Sequence, residues 1–128
     1  EQPYQNGHMF WSENARLYLV TVGDNQGWWL RYADDRTIWN ESLPELSCQV
    51  DVPSGLVMPK KGFGAIWCND ANLRSQIGFA VDIERGFEDS IDFYHPFANG
   101  AIFRDSDGNN HRLAYVLFSD GTYVREGY

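Results

Sequence analysis

Apolar and polar residues alternate along most of this chain, and the three-to-four spacing of an amphipathic helix is nearly absent. Six short segments, 8–11, 16–22, 27–32, 101–104, 112–118 and 122–125, are rich in Val, Tyr, Phe and Trp and are bounded by Gly, Asp or Asn. β-Branched and aromatic side chains pack well on a pleated surface, so the pattern predicts antiparallel strands joined by tight turns. The clearest hairpin lies at 113–124, where Asp120-Gly121 separates two alternating runs and supplies the positive φ of a tight turn.

One short helix is predicted near 70–77: Asn69 or Asp70 caps it, Leu73 and Ile77 stand at i and i+4, and Gly78 ends it. Pro44, Pro53 and Pro59, with Ser47, Ser54 and Gly55, mark an irregular stretch before it, because each proline lacks a backbone donor.

The two ends of the chain resemble each other. Pro3-Tyr4-Gln5-Asn6-Gly7-His8-Met9-Phe10 is matched 93 positions later by Pro96-Phe97-Ala98-Asn99-Gly100-Ala101-Ile102-Phe103, and each is followed by two more strand-like runs. An aromatic anchors the entering chain, Asn-Gly turns it, and the next apolar residues begin a strand. The expectation is one domain over 1–128, with an internal repeat at 2–32 and 95–125 and a connecting segment at 33–94. The fold class is all-β: a small barrel or sandwich of two related three-stranded antiparallel meanders, with one short helix. Neither meander alone buries enough apolar area to be stable, so a shared core is expected.

Composition narrows the function. In 128 residues, hydrophobic residues reach 43% and charged residues 22%, as in folded globular domains. No apolar run approaches the ~20 residues of a membrane helix. The net charge of −8, with only two lysines, Lys60 and Lys61, argues against nucleic acid and anionic lipid as partners. Cys48 and Cys68 are too far apart for CxxC chemistry or a zinc knuckle and read as a disulfide, with two buried free thiols as the alternative. Closing about twenty residues, that bond contributes about 3 kcal/mol and points to an extracellular protein. A start at Glu1, without Met or an apolar leader, fits a processed secreted chain or a trimmed one equally.

Tyr4-Gln5-Asn6-Gly7-His8-Met9-Phe10-Trp11-Ser12 resembles the F-x-x-G-x-I-Y-W-S segment of LGFP-type repeats. Ile77-Gly78-Phe79-Ala80, followed by Glu84, stands where those repeats carry Leu-Gly-Phe-Pro and an acidic residue, with Ala80 in place of the proline. The second copy matches at Phe97-Ala98-Asn99-Gly100-Ala101-Ile102-Phe103. A longer arrangement, with Gly62-Phe63-Gly64-Ala65-Ile66-Trp67 between two such meanders, is similar to bacterial surface and lipoprotein-like proteins. The 29 residues of 33–61 have no counterpart in the short repeat. The resemblance implies a secreted or surface-anchored, non-enzymatic module that contacts bacterial cell-wall components.

Aromatic residues make up 16% of the chain, more than a core of this size needs. Trp11, Trp28, Trp29, Trp39 and Trp67, with Tyr18, Tyr32 and Tyr123, are candidates for stacking on sugar rings or for filling the core. Trp29 and Trp39, followed by Trp11 and Tyr32, are the platform candidates. Trp28 and Trp29 are adjacent in a strand and must face opposite ways. Asp105, Asp107 and Asn109 offer alternating oxygen ligands, but the glycine and glutamate of a calcium loop are misplaced there, and a polar turn is the simpler reading. Carboxylate pairs such as Glu84 with Glu88 or Asp89 with Asp92 raise a small glycoside hydrolase only weakly, since pairs are common among 18 acidic residues. His8, His95 and His111 lack metal-site spacing, and no cofactor motif is present. Asn40-Glu41-Ser42 is a glycosylation sequon.

The sequence therefore points to an extracellular non-catalytic module binding cell-wall or surface polysaccharide through exposed aromatics. The alternative is a structural subunit of a surface assembly, held by contacts with other surface proteins or by self-association.

Overall fold

The computed structural model describes residues 1–86, 94–106 and 112–127. The first four strands are β1 (Gln2–Tyr4), β2 (Gly7–Ser12), β3 (Leu17–Gly23) and β4 (Gln26–Ala33). Two helices follow, α1 (Lys61–Asn69) and α2 (Ala71–Ile77). The last four strands are β5 (Tyr94–Phe97), β6 (Gly100–Ser106), β7 (Arg112–Phe118) and β8 (Thr122–Gly127). All strands join one antiparallel sheet in the order β1-β2-β3-β4-β8-β7-β6-β5, with β4 and β8 paired in the middle. The all-β reading holds.

Two details differ from the sequence reading. Each meander has four strands, because the Pro-aromatic segments β1 and β5 pair with the strands that follow them. Three or four residues containing a proline are too few for alternation to show. A second helix, α1, precedes the expected one. Its glycines lower helix propensity by about 1 kcal/mol each and hid it, but close packing demands them. A Cβ on Gly62 would come within 2.2 Å of the Tyr18 hydroxyl, and one on Gly64 within 2.6 Å of the Pro59 carbonyl. Helix α2 begins and ends as read: Asp70 accepts from the Leu73 N–H at 2.9 Å, and Gly78 at φ 78° closes it.

The sheet stays open, which removes the barrel alternative. It coils until its halves face each other, as in a sandwich. Five strand positions separate β2 from β6, about 24 Å in a flat sheet, yet the rings of Phe10 and Phe103 lie 4.8 Å apart. Between the halves sits an inner core of Phe10, Leu17, Leu19, Phe103, Tyr115, Leu117 and Tyr123. On the opposite face of the first meander, Tyr4, Met9, Tyr18, Val20 and Val22 pack against Phe63, Ile66, Trp67, Leu73 and Ile77 of the helices. Trp67 is fully buried, donates to the Gly78 carbonyl at 2.8 Å and lies under the Arg74 guanidinium.

The two meanders match in register as well as in order. Gly7 pairs with Val22 as Gly100 pairs with Phe118. Both glycines have positive φ, 148° and 152°, and a Cβ would meet the Thr21 carbonyl oxygen at 2.0 Å or that of Leu117 at 1.9 Å. The central pairing is reciprocal. The Trp29 indole N–H donates to the Phe118 carbonyl, while the Tyr123 hydroxyl donates to the Asp24 carbonyl, so each meander ties down the other's last turn.

The free edge of β1 is covered by the chain leaving α2: Gln5 N–H donates to the Phe79 carbonyl, and Val81 N–H to that of Pro3. The Glu1 carboxylate pairs with Arg85 at 2.6 Å. Cys48 and Cys68 form a disulfide, with Cα atoms 5.8 Å apart, that ties the irregular segment to α1. No helix among the described residues is long and apolar enough to cross a membrane.

Candidate functional site

Where the first meander, the loop after β4 and the start of α1 meet, a cleft of about 260 Å³ opens. Its walls are Trp11 and Tyr18 from β2 and β3, Asp34, Arg36, Trp39 and Glu41 from the loop, Lys61, Gly62 and Phe63 from α1, and Glu84. Trp11 reaches it because successive strand residues alternate faces and Trp11 lies beyond the buried pair Met9 and Phe10. It is 41% exposed.

The loop is shaped by its own side chains. The Asp35 carboxylate accepts from the Thr37 N–H at 3.0 Å, and the Asn40 amide donates to the Arg36 carbonyl at 3.2 Å. Arg36 and Lys61 both have positive φ, 69° and 54°. A side chain in that region costs about 1–2 kcal/mol, and neighbouring hydrogen bonds offset it: Lys61 N–H donates to the Glu45 carbonyl at 2.7 Å.

The two tryptophans are fixed by their polar edges. The Trp11 indole N–H donates to Asp34 Oδ2 at 2.8 Å, and the Trp39 indole N–H donates to the Pro44 carbonyl at 2.9 Å. What each ring keeps for a ligand is carbon surface. Around them stand three carboxylates and two cations, and Arg36 pairs with Glu41. Hydrogen bonds from its own backbone N–H and from Arg36 hold the Glu41 carboxyl below the usual range, so it stays ionised at neutral pH and is no proton donor. Burial, helped by the charges of Asp34, Glu84 and Glu41, pushes the Tyr18 phenol up to about 12. It remains a neutral hydroxyl against α1. No side chain caps the N-terminus of α1, which opens on this cleft.

Of the four platform candidates, the structure brings two together, Trp11 and Trp39. Trp29 lies elsewhere, half-buried against the inner core, with its N–H held by Phe118. Its neighbour Trp28 packs on the opposite, helix-side core, as alternation requires. Tyr32 is also half-buried on the helix side, its phenol raised by burial and then by Asp70. Glu84 lines the cleft, while Glu88, Asp89 and Asp92 lie outside the described residues, as do His111 and two of the calcium candidates, Asp107 and Asn109. The third, Asp105, is buried in β6. No group of three or more His, Cys, Asp or Glu that could hold a metal occurs among the described residues. His8 packs between Phe10 and Tyr115, and His95 is exposed on β5. Asn40 of the sequon uses its side chain locally, accepting from the Ser42 N–H at 2.9 Å.

Asp34, Arg36, Glu41 and Lys61 are the cleft residues that sequence reasoning missed. They come from an irregular loop and from the unrecognised helix, where periodicity carries no signal. Compared with family models, curated proteins and solved structures, the chain matches none of them.

Proposed function

We propose that the protein is an extracellular, non-catalytic module that binds a cell-wall or surface polysaccharide in the cleft between Trp11 and Trp39. One observation carries this reading: both indole N–H groups are engaged inside the protein, so the rings are oriented in advance and offer carbon surface to the cleft. A sugar ring presents an apolar C–H patch to such a surface while its hydroxyls bond to flanking carboxylates and guanidinium groups, here Asp34, Glu41, Glu84 and Arg36. The backbone strain at Arg36 and Lys61 supports it further, since strained positions gather where a loop must hold a binding geometry. The disulfide suits an oxidising compartment, and the resemblance to LGFP-type repeats supports the cell wall as the location of the ligand.

The test is co-sedimentation of the intact chain with purified peptidoglycan, chitin and cellulose, beside a soluble-glycan panel. Saturable binding to one of these is expected, and absence of binding to all of them overturns the reading.

A further inference from the structure

The cleft of Trp11 and Trp39 does not end at Lys61 and Glu84. A second cavity of about 300 Å³ adjoins it, and those two residues line both. The backbone turns sharply there: Lys60 is extended, at φ −125°, and Lys61 takes φ 54° as α1 begins. Lys60 lines the second cavity alone, while Lys61 stands at the junction. The other shared residue, Glu84, lies on the chain after α2, which is held on both sides of it. The Gln2 amide donates to the Asp82 carbonyl at 3.0 Å, and the Arg85 N–H donates to the Glu1 carbonyl at 2.8 Å. Ile83 is thereby kept on the wall of the second cavity although it is 64% exposed, and Val57 and Met58 add apolar surface to that wall. Val57 is fixed in turn by its N–H, which donates to the Ala80 carbonyl at 2.9 Å.

The charges lining the second cavity are Lys60, Lys61, Glu45 and Glu84. None of the four forms an ion pair among the described residues, whereas Arg36, Arg85 and Arg125 each hold a carboxylate. Ammonium donors and carboxylate acceptors therefore stay available to a ligand rich in hydroxyl groups. Each cavity alone is at the small end of ligand sites, which run from about 300 to 1,000 Å³, and joined they lie well inside that range.

We propose, building on the glycan reading of the first cleft, that the two cavities are successive subsites of one groove and that the ligand is a linear polysaccharide gripped along its length, not by a single terminal sugar. One sugar ring stacks in the first subsite against Trp11 and Trp39. The chain then passes Lys61 and Glu84, which donate to and accept from its hydroxyls. A following sugar lays its C–H patch on Ile83, Val57 and Met58, with Lys60 and Glu45 at its hydroxyl edge. Once the first subsite is filled, occupation of the second is intramolecular, so affinity grows with the number of linked sugars until both are filled.

Calorimetry of the intact, disulfide-bonded chain with chitin and cellulose oligosaccharides and with soluble peptidoglycan fragments, each graded from disaccharide to hexasaccharide, tests this. In the series that binds, affinity is expected to rise about tenfold or more with length. Ile83→Ser and Lys60→Gln, at exposed positions outside the first cleft, should remove that rise and leave the disaccharide bound as the parent binds it. Trp39→Ala should weaken every length. Affinity independent of length, or a rise that survives both substitutions, overturns the two-subsite groove and leaves the first cleft in place. Affinity that follows the stem peptide of the peptidoglycan fragments instead of the number of sugars assigns the second cavity to a peptide and overturns the groove too. Absence of binding at any length, to oligosaccharide or polymer, overturns the cleft reading itself and the groove with it.

Discussion

The rings of Phe10 and Phe103 meet edge to face with their centroids 4.8 Å apart, and the two residues occupy the same register position in the two meanders. Phe10 stands opposite Leu19 as Phe103 stands opposite Tyr115, and all four are buried. This contact joins the two halves of the coiled sheet, so each half supplies the other's core.

Phe103→Ala is therefore expected to destabilise the whole chain by about 3–5 kcal/mol, the range for deleting a buried aromatic, and Phe10→Ala by a similar amount. Urea unfolding followed by fluorescence and by circular dichroism checks both. The transition should remain single. Separate transitions for the two halves would contradict a shared core.

Reduction of Cys48–Cys68 is expected to cost about 3 kcal/mol, because the bond closes a 20-residue separation in the unfolded chain. The bond also ties the segment after the Trp39 loop to α1, so reduction should weaken ligand binding more than it disturbs the inner core. Thermal melting and binding, measured with and without reductant, check this. Binding unaffected by reduction would show that the loop holds its shape without the bond.

His8 gives a pH dependence with a definite sign. Burial lowers its folded pKa below the ordinary 6.5, against smaller opposing effects of Glu1 and Asp24 and with small support from Arg125 and Arg85. Below pH 6.5 the unfolded chain takes up a proton that the folded chain refuses, so the stabilising contribution is complete above that value and is lost as the pH falls through it. Its Nδ1 is buried without a hydrogen-bond partner, so a charge there gains no hydrogen bond to offset its burial. Unfolding free energies between pH 7.5 and about 5 should fall for the parent protein and fall less for His8→Gln.

Much of this architecture is legible in the sequence where side chains alternate under a one-sided burial constraint. The buried Tyr115 and Leu117 of β7, alternating with the more exposed Val116 and Phe118, and the hairpin at Asp120-Gly121 follow from pattern and turn chemistry, and the Asp120 carboxylate accepts from the Thr122 N–H at 2.9 Å. Helix α1 escaped because Gly62 and Gly64 serve a close approach to Tyr18 and Pro59, a tertiary requirement that overrides propensity. The cleft was legible only in part. Trp11 and Trp39 stand out by residue type, but their meeting depends on a loop shaped by Asp35 and Asn40 and on the start of α1. Trp29 has the same residue type, and only the pairing of β4 with β8 shows that its N–H is committed to Phe118.

The most direct test of the cleft reading is to titrate the best-binding glycan of the panel against the parent protein, Trp11→Ala, Trp39→Ala and Trp29→Phe by calorimetry. Loss of about tenfold or more in affinity for the first two variants, with Trp29→Phe binding as the parent does, is the predicted result. Equal affinity for all four proteins, or loss only on changing Trp29, would contradict the account and place any recognition surface elsewhere.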